Sequence, residues 1–450
     1  MDKFSSYVEK HSQLILDAYD YIWNNPETGY REWKTHAYLE EAFAKLGYEL
    51  TLAGDIPGFT AEVDTGRPGP TVAIFGEMDS LLCKAHPQSD PETGAAHVCG
   101  HCCQSAALLG LAAVLKEPGA LDGLCGKIRL VAVPAEELIE NDFREELRQK
   151  GTIRYFGGKI EFMHRGLLDG VDMAAMLHVH TCAGINEGYI DGGANGIVAK
   201  TITYKGVSAH AGMAPYKGVN ALYAATLGLN AINALRETFE DDAHIRVHPI
   251  ITKGGDVVNA VPDTVQMESY VRGANMQQIE KVNKKVNRAL AAAAAAMGGN
   301  VHLHDMAGYW PRKSNGKYAE LTAAAMEQVL DKVVYAPEKW GGGSTDMGDV
   351  SAVMPAIHPY IGGAVGTMHG SDFCIADPVS ACVKAAHVLA VLLSMLLQDD
   401  AIKAKEILED YTPEFASMEA YFAFLDKLNL DCDAVTYDTE NRAVLTFGEA

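Results

Sequence analysis

TVAIFGEMDS, residues 71–80, opens on a short apolar run and closes on two acids, Glu77 and Asp79. An unbroken apolar run of this length reads as a strand buried on both faces. Two further runs share its character, KIRLVAV (127–133) and MAAMLHV (173–179). Helical stretches, THAYLEEAFAKLG and QSAALLGLAAVLK, alternate with them. Such alternation predicts a mostly parallel sheet with crossover helices. In sheets of this kind functional groups gather just past the carboxyl ends of the strands. Here the first run leads to Glu77 and Asp79, the second to PAEE with Glu136 and Glu137, and the third to His178 and His180.

Between residues 190 and 308 the pattern changes. A strand (GIVAKTITYKG) precedes a helix (GVNALYAATLGLNAINALRE), and two strands follow (HIRVHPIITKGG, TVQMESYVRG). A second helix (MQQIEKVNKKVNRALAAAAAA) and a last strand (GNVHLHDMAG) complete a β-α-β-β-α-β unit of ferredoxin-like type. The expected fold class is therefore α/β, with a catalytic domain in two pieces, 1–189 and 309–450, interrupted by a small domain at 190–308. Residues 400–450 read as a helical C-terminal extension without assigned chemistry.

The 450 residues are 48% hydrophobic and 21% charged, which fits a globular chain and not a disordered one. A net charge of −22 repels phosphate backbones, so no nucleic-acid partner is expected. No run approaches 18 uncharged apolar residues, and no membrane span is expected. The N-terminal stretch MDKFSSYVEKHSQLILDAYDYIW reads as an amphipathic helix and not as a signal peptide, which points to a cytoplasmic location. Nine cysteines, unevenly spaced, do not form a secreted disulfide framework.

Three of those cysteines fall in HVCGHCCQSAALLG (97–110), directly before a helix. Cys99 and Cys102 have the C-x-x-C spacing of a thiol-redox motif. A structural zinc site would need a second such pair, and none stands at a plausible spacing. The third reading is a catalytic metal site, in which Cys99 and His101 join the acids and imidazoles at the strand ends. Far downstream, VGTMHGSDF (365–373) adds His369 and Asp372.

These motifs resemble, in order, those of the dinuclear metal-dependent aminoacylase and carboxypeptidase family, in its amidohydrolase branch. The branch includes hippurate, indole-acetyl-amino-acid and aminobenzoyl-glutamate hydrolases. The resemblance runs from NNPETGYRE (24–32) through GEMDSL (76–81), HVCGH (97–101), PAEE (134–137) and LHV (177–179). It continues with GVSAHAGMAP (206–215), GGDVVNAVPD (254–263), YVRG (270–273), GGSTDMGDVS (342–351) and VGTMHGSDF. GGK (157–159) and STDMGDVS look most like the aminobenzoyl-glutamate hydrolases and related dipeptidases.

The resemblance implies that Cys99, His101, Glu137, His178 and His369 hold two divalent metal ions, zinc or manganese with cobalt acceptable. It makes Glu136 the general base for a metal-bridging water, and Asp79 the residue that orients the site. His210 would reach the reacting carbonyl, often that of a partner subunit, while Asn259 and Arg272 would hold a substrate carboxylate. The inserted domain would be a lid and dimerisation domain, and the chain a homodimer. His180 remains an alternative to His178 as ligand. Where the branch commonly has Asp or Asn after CGH, this chain has Cys102 and Cys103.

The expected activity is hydrolysis of the amide bond of an N-acyl or N-aroyl amino acid, or of a small dipeptide. Two rival readings predict other behaviour. A non-catalytic binding protein on the same fold would hold no metal. A thiol-redox enzyme would use Cys99 and Cys102 and ignore chelators.

Overall fold

The structure is a computed structural model and describes residues 3–447. It divides into two compact units. The first is built from the chain up to Gly193 with Lys313–Trp340 and Asp349–Glu414; the second from Ala194–Arg312, Gly341–Gly348 and the chain from Phe415 on.

At the centre of the first unit stands a six-stranded sheet. Its order is Leu50–Leu52, Phe59–Asp64, Lys127–Val133, Thr71–Glu77, Met173–Ala175, Ala356–Ile357. Thr71–Glu77 runs parallel to both its neighbours, and Ala356–Ile357 parallel to Met173–Ala175. Phe59–Asp64 supplies an antiparallel margin. Thr71–Glu77 is buried at every position, as its unbroken apolar run requires.

The helix His101–Leu115 is likewise buried at all of its residues. It packs against the helices Lys3–Trp23 and Lys384–Leu397 as well as the sheet, which is why no polar face interrupts its sequence. The segment Val379–Leu397 is long and apolar enough to cross a membrane by composition, but 72% of it is buried within the protein, as a core helix would be.

The third apolar run behaves differently from the expectation of one strand. Met173–Ala175 ends in the large sheet, and His178–Val179 pairs with Tyr360–Ile361 in another. The chain thus steps from one sheet to the next just where His178 is needed.

The second unit carries an antiparallel sheet with two helices, Ala221–Leu235 and Met276–Ala296. Gly196–Lys205 lies between Thr264–Gly273 and Asn300–Ala307. Thr264–Gly273 alternates half-buried and buried residues along its whole length, the period of a strand with one face on a core. Inside the stretch read as one strand, HIRVHPIITKGG, two short strands form, Arg246–Val247 and Ile250–Lys253. Both pair with Thr264–Gly273.

The C-terminal stretch is not the helical extension of a catalytic domain. After the helices Ile402–Asp410 and Met418–Leu428, Leu430–Asp433 joins the sheet of the second unit, antiparallel to Asn300–Ala307. It thereby pairs backbone groups that a bare sheet edge would leave open. Val435–Tyr437 and Ala443–Leu445 then form a hairpin.

Candidate metal centre and its surroundings

Three parallel strands of the first unit end on the same side, and their continuations carry the acids and imidazoles. Cys99 and His101 are added by a sharp turn. Gly100 holds φ at +90°, and a Cβ there would lie 2.3 Å from Cγ1 of Val179. The turn therefore needs glycine on both counts, and it presses the start of helix His101–Leu115 against the His178 strand.

Three donor groups result, each with ligand atoms within 4.8 Å of one another. Cys99, His101 and His178 form one; Cys99, Glu137 and His369 a second; Glu77, His101 and Glu136 a third. Shared Cys99 and His101 link the three into one cluster. Cys99 Sγ lies 3.5 Å from His178 Nε2. His369 Nε2 lies 3.4 Å from Glu137 Oε1. The backbone of His369, at φ +63°, is held by an N–H bond to Val98 O.

Tautomers follow from the outer partners. His101 Nδ1 donates to Asp79 Oδ1 at 2.9 Å, and His178 Nδ1 donates to Val179 O at 2.6 Å. Each ring thus turns its Nε2 toward the cluster, the arrangement of a metal-binding histidine with a second partner behind it. Burial and the charge of neighbouring His101 push His178 down to about 3, so it is a neutral imidazole. His180 is in none of the donor groups; its Nδ1 accepts the N–H of Cys182 at 2.9 Å. Of the two candidates left open by the sequence, His178 meets Cys99 and His101.

Asp79 is fully buried and has two tasks. One oxygen faces His101, and the other accepts the N–H of Glu137 at 2.8 Å. Burial would raise its pKa, but His101 and the Glu137 N–H hold it below the ordinary value.

The tandem acids separate. Glu136 faces His101 and Glu77, while Glu137 faces Cys99 and His369. The turn that aims them has Ala135 at φ +57°, an unusual conformation for a residue with a Cβ. Glu32 Oε1 accepts the Ala135 N–H at 2.8 Å, and the buried Arg144 guanidinium bonds the carbonyls of Phe156 and Glu137. Glu32 lies in NNPETGYRE, whose burial the motif did not disclose. Arg144 lies in a helix with no motif at all, and no local pattern singles it out.

Glu77 is a further residue beyond the expected set. Its carboxylate is wholly buried, bonded to Lys159 Nζ and to Gln104 Nε2, with Oε2 3.3 Å from His101 Nε2. Burial acts to raise Glu77, and Lys159, His101 and His178 together outweigh it. The lysine of GGK is thus the buried counter-charge of an acid 82 positions away.

These residues fit a pair of cations. His101 Nε2 and Glu137 Oε1 are buried without a hydrogen-bond partner, although both point into the cluster. Burial opposes charge on His101, yet Cys99, Glu77 and Asp79 hold its pKa well above the ordinary value. Burial, and next the Glu137 carboxylate, push the Cys99 thiol up. A set so rich in negative donors calls for positive charge at its centre. Thiolate, imidazole and carboxylate are donors that divalent transition metals accept.

The redox reading finds no support in this geometry. All nine cysteines are free. Cys99 faces His178, whereas Cys102 is fully buried beside Cys103 and Tyr19.

His210, Asn259 and Arg272 lie in the second unit. His210 is exposed, and its Nδ1 accepts N–H bonds from Gly212 and Met213, which leaves the proton on an outward Nε2. Asn259 is close to it, because Ala211 N bonds Asn259 O and His210 bridges Ala260. Arg272 stands elsewhere, its guanidinium over the Tyr270 ring and its backbone opposite Ile197 and Arg246. Thr264 and Arg272 are eight residues apart on one strand, roughly 26 Å at about 3.3 Å per residue. A single copy of this unit therefore holds Arg272 far from the end where Asn259 and His210 meet.

A parallel sheet with thiolate, imidazole and carboxylate donors at its strand ends defines a metal-dependent hydrolase. Residues 192–297 match the model of the peptidase dimerisation domain. The chain is 30% identical over 364 residues to the Xaa-Arg dipeptidase of Mus musculus, covering 75% of this chain and 74% of that protein. It is 31% identical over 354 residues to one of the chains of the p-aminobenzoyl-glutamate hydrolase of Escherichia coli, covering 67% and 75%. A dinuclear metal-binding peptidase of the M20 family from Bacillus subtilis shares the fold, with a TM-score of 0.64, 20% identity and coverage of 87% and 99%. The chain belongs to the M20 peptidase family and is one of its metal-dependent amidohydrolases.

Proposed function

We propose that the chain hydrolyses the amide bond between an acyl group and an amino acid with a free carboxylate, in a dipeptide or an N-acyl or N-aroyl amino acid. The observation that carries this reading is the linked donor cluster, in which Glu136 and Glu137 face different partners. It is supported by the similarity to a dipeptidase and to an aminobenzoyl-glutamate hydrolase.

In this reading Cys99, His101, Glu137, His178 and His369 hold two divalent ions, zinc by donor softness, with manganese or cobalt acceptable. Bound there, the ions would polarise the scissile carbonyl and acidify the attacking water. Glu136 takes the proton of that water and returns it to the leaving nitrogen, a contribution typically of about 10²–10⁴-fold. Asp79 keeps the Nε2 of His101 turned inward. His210, with its proton on Nε2, donates to the developing oxyanion. Asn259 and Arg272 bind the substrate carboxylate, for which a guanidinium fork is suited.

The separation of Arg272 from His210 and Asn259 favours a homodimer in which two copies complete each site. The second unit has the surface for it. Ile250–Lys253 is an exposed edge strand, and Tyr223 and Leu227 are exposed on the helix Ala221–Leu235. Such apolar exposure marks an association surface.

The test is Glu136→Gln, assayed on a panel of dipeptides and N-acyl amino acids with metal supplied. Loss of turnover, with metal content and melting temperature kept, is expected. Full activity of that variant would sink the mechanism.

A further inference from the structure

One loop, residues 27–32, grips both of the strand ends that carry Asp79 and the tandem acids. On one side it holds the turn after Asp79. Ser80 donates its N–H to Glu27 O at 2.8 Å and its hydroxyl to the same carbonyl at 3.0 Å, and Thr28 bridges Ser80. On the other side it holds Ala135, the residue before the tandem acids. Glu32 Oε1 accepts the Ala135 N–H at 2.8 Å, and a Cβ on Gly29 would lie 2.9 Å from Ala135 Cα. The Ala135 carbonyl in turn accepts the N–H of Gly158 at 3.2 Å. Ala135 is thereby kept at φ +57°, a conformation that costs a residue with a Cβ and persists only where its surroundings over-determine it.

Glu32 itself is wholly buried, and its Oε2 has no hydrogen-bond partner among the described residues. Burial, and next the charge of Asp79, push its carboxyl well above the ordinary range, while the Ala135 N–H and Arg144 oppose this more weakly. A carboxyl so placed stands as the neutral acid, and what it gives its surroundings is one acceptor oxygen. It belongs to none of the donor groups that could hold metal.

We propose that Glu32 is a positioning residue for hydrolysis, acting as a hydrogen-bond acceptor and not as a charge. Through the Ala135 N–H it fixes the turn from which Glu136 faces Glu77 and His101 while Glu137 faces Cys99 and His369. Without that acceptor a buried N–H is left unpaired, and Ala135 relaxes toward an ordinary backbone that turns both carboxylates away. The proposal rests on the amide-hydrolysis reading for its effect on rate, but the placement of Glu137 can be read without turnover.

The experiment compares the conservative variant Glu32→Gln, whose amide oxygen can still accept the Ala135 N–H, with Glu32→Met, which is of similar size and lacks that acceptor. On the full-length, metal-loaded protein, with alanyl-leucine and benzoyl-leucine as substrates, Glu32→Gln should keep kcat within about twofold. In Glu32→Met kcat should fall by about 10–100-fold with KM changed by less than about twofold, the pattern of a displaced general base. A merely structural role would lower the melting temperature and leave kcat per metal-loaded molecule as it was. The visible spectrum of the cobalt-loaded protein reads the Glu137 ligand without turnover, and it should change in Glu32→Met but not in Glu32→Gln. Native kcat with a native cobalt spectrum in Glu32→Met overturns the proposal. So does a Glu32→Gln as impaired as Glu32→Met, because then the charge or the proton of Glu32 is what matters. If the native protein cleaves neither substrate yet the spectra differ as expected, the amidase reading fails and the positioning role stands. Should Glu32→Met not fold, Gly29→Ala presses a Cβ into the same turn, and the same split of kcat from KM is expected. A native kcat and cobalt spectrum there would equally overturn the role.

Discussion

Asp79 and His101 are joined at 2.9 Å, carboxylate oxygen to Nδ1, with both side chains wholly buried. The other oxygen of Asp79 accepts the N–H of Glu137. One aspartate thus sets the inward Nε2 of a histidine and the position of an acid on a different strand end. Asp79→Asn keeps the size but not the charge, and its amide can turn an N–H toward His101. Metal affinity should fall by about 10–100-fold. Metal content after dialysis against a graded chelator checks this, and unchanged retention would refute the role.

Lys159 and Glu77 form the second buried pair on which the site depends. Replacing Lys159 by Met leaves a buried carboxylate without its counter-charge, a loss of about 3–5 kcal/mol by analogy with other broken buried pairs. The double change Lys159→Met with Glu77→Gln removes both charges and should recover most of it. Melting temperatures of the two variants, taken in chelator so that metal binding does not enter, decide the matter. A double variant no more stable than the single one would speak against the pairing.

Gly100 is the third structural requirement. Gly100→Ala combines a Cβ 2.3 Å from Val179 with a left-handed backbone at +90°. Either Val179 or the Cys99–His101 turn must shift. Metal binding and turnover should both drop by more than about tenfold, on the scale of a displaced ligand. A variant with native metal content would show that the turn tolerates a side chain.

The second unit predicts an assembly effect. Ile251→Lys places a charge on the exposed strand Ile250–Lys253, where it should weaken pairing of one copy with another without touching the unit's core. Light scattering should show a smaller species. Because His210 and Arg272 sit at distant ends of one copy, turnover should fall with the dimer and return at high protein concentration. Full activity of a stable monomer would exclude a shared site.

Much of this molecule was legible in its sequence. The apolar runs at 71–75 and 127–133 became parallel neighbours, because residues buried on both faces have no other place to go. The alternation in TVQMESYVRG produced a one-sided strand. Motifs spread along the chain supplied the donors Cys99, His101, Glu136, Glu137, His178 and His369, and the fold stands them in one cluster. Where local pattern failed, the partner lay far along the chain. LDCD at 430–433 carries no strong strand signal, yet the open edge of Asn300–Ala307 recruits it.

What the amino-acid order determined by itself was the kind of each element and the stock of donors, since both depend on neighbours a few residues apart. Tertiary structure alone decided that His178 and not His180 joins Cys99, that Lys159 neutralises Glu77, and that Glu32 and Arg144 grip the turn before the tandem acids. Those choices are made by burial and by hydrogen bonds between segments that lie far apart along the chain, and for His178 by the step from one sheet to the next. No local periodicity records such distances, because a buried polar group is satisfied by whatever the fold brings beside it.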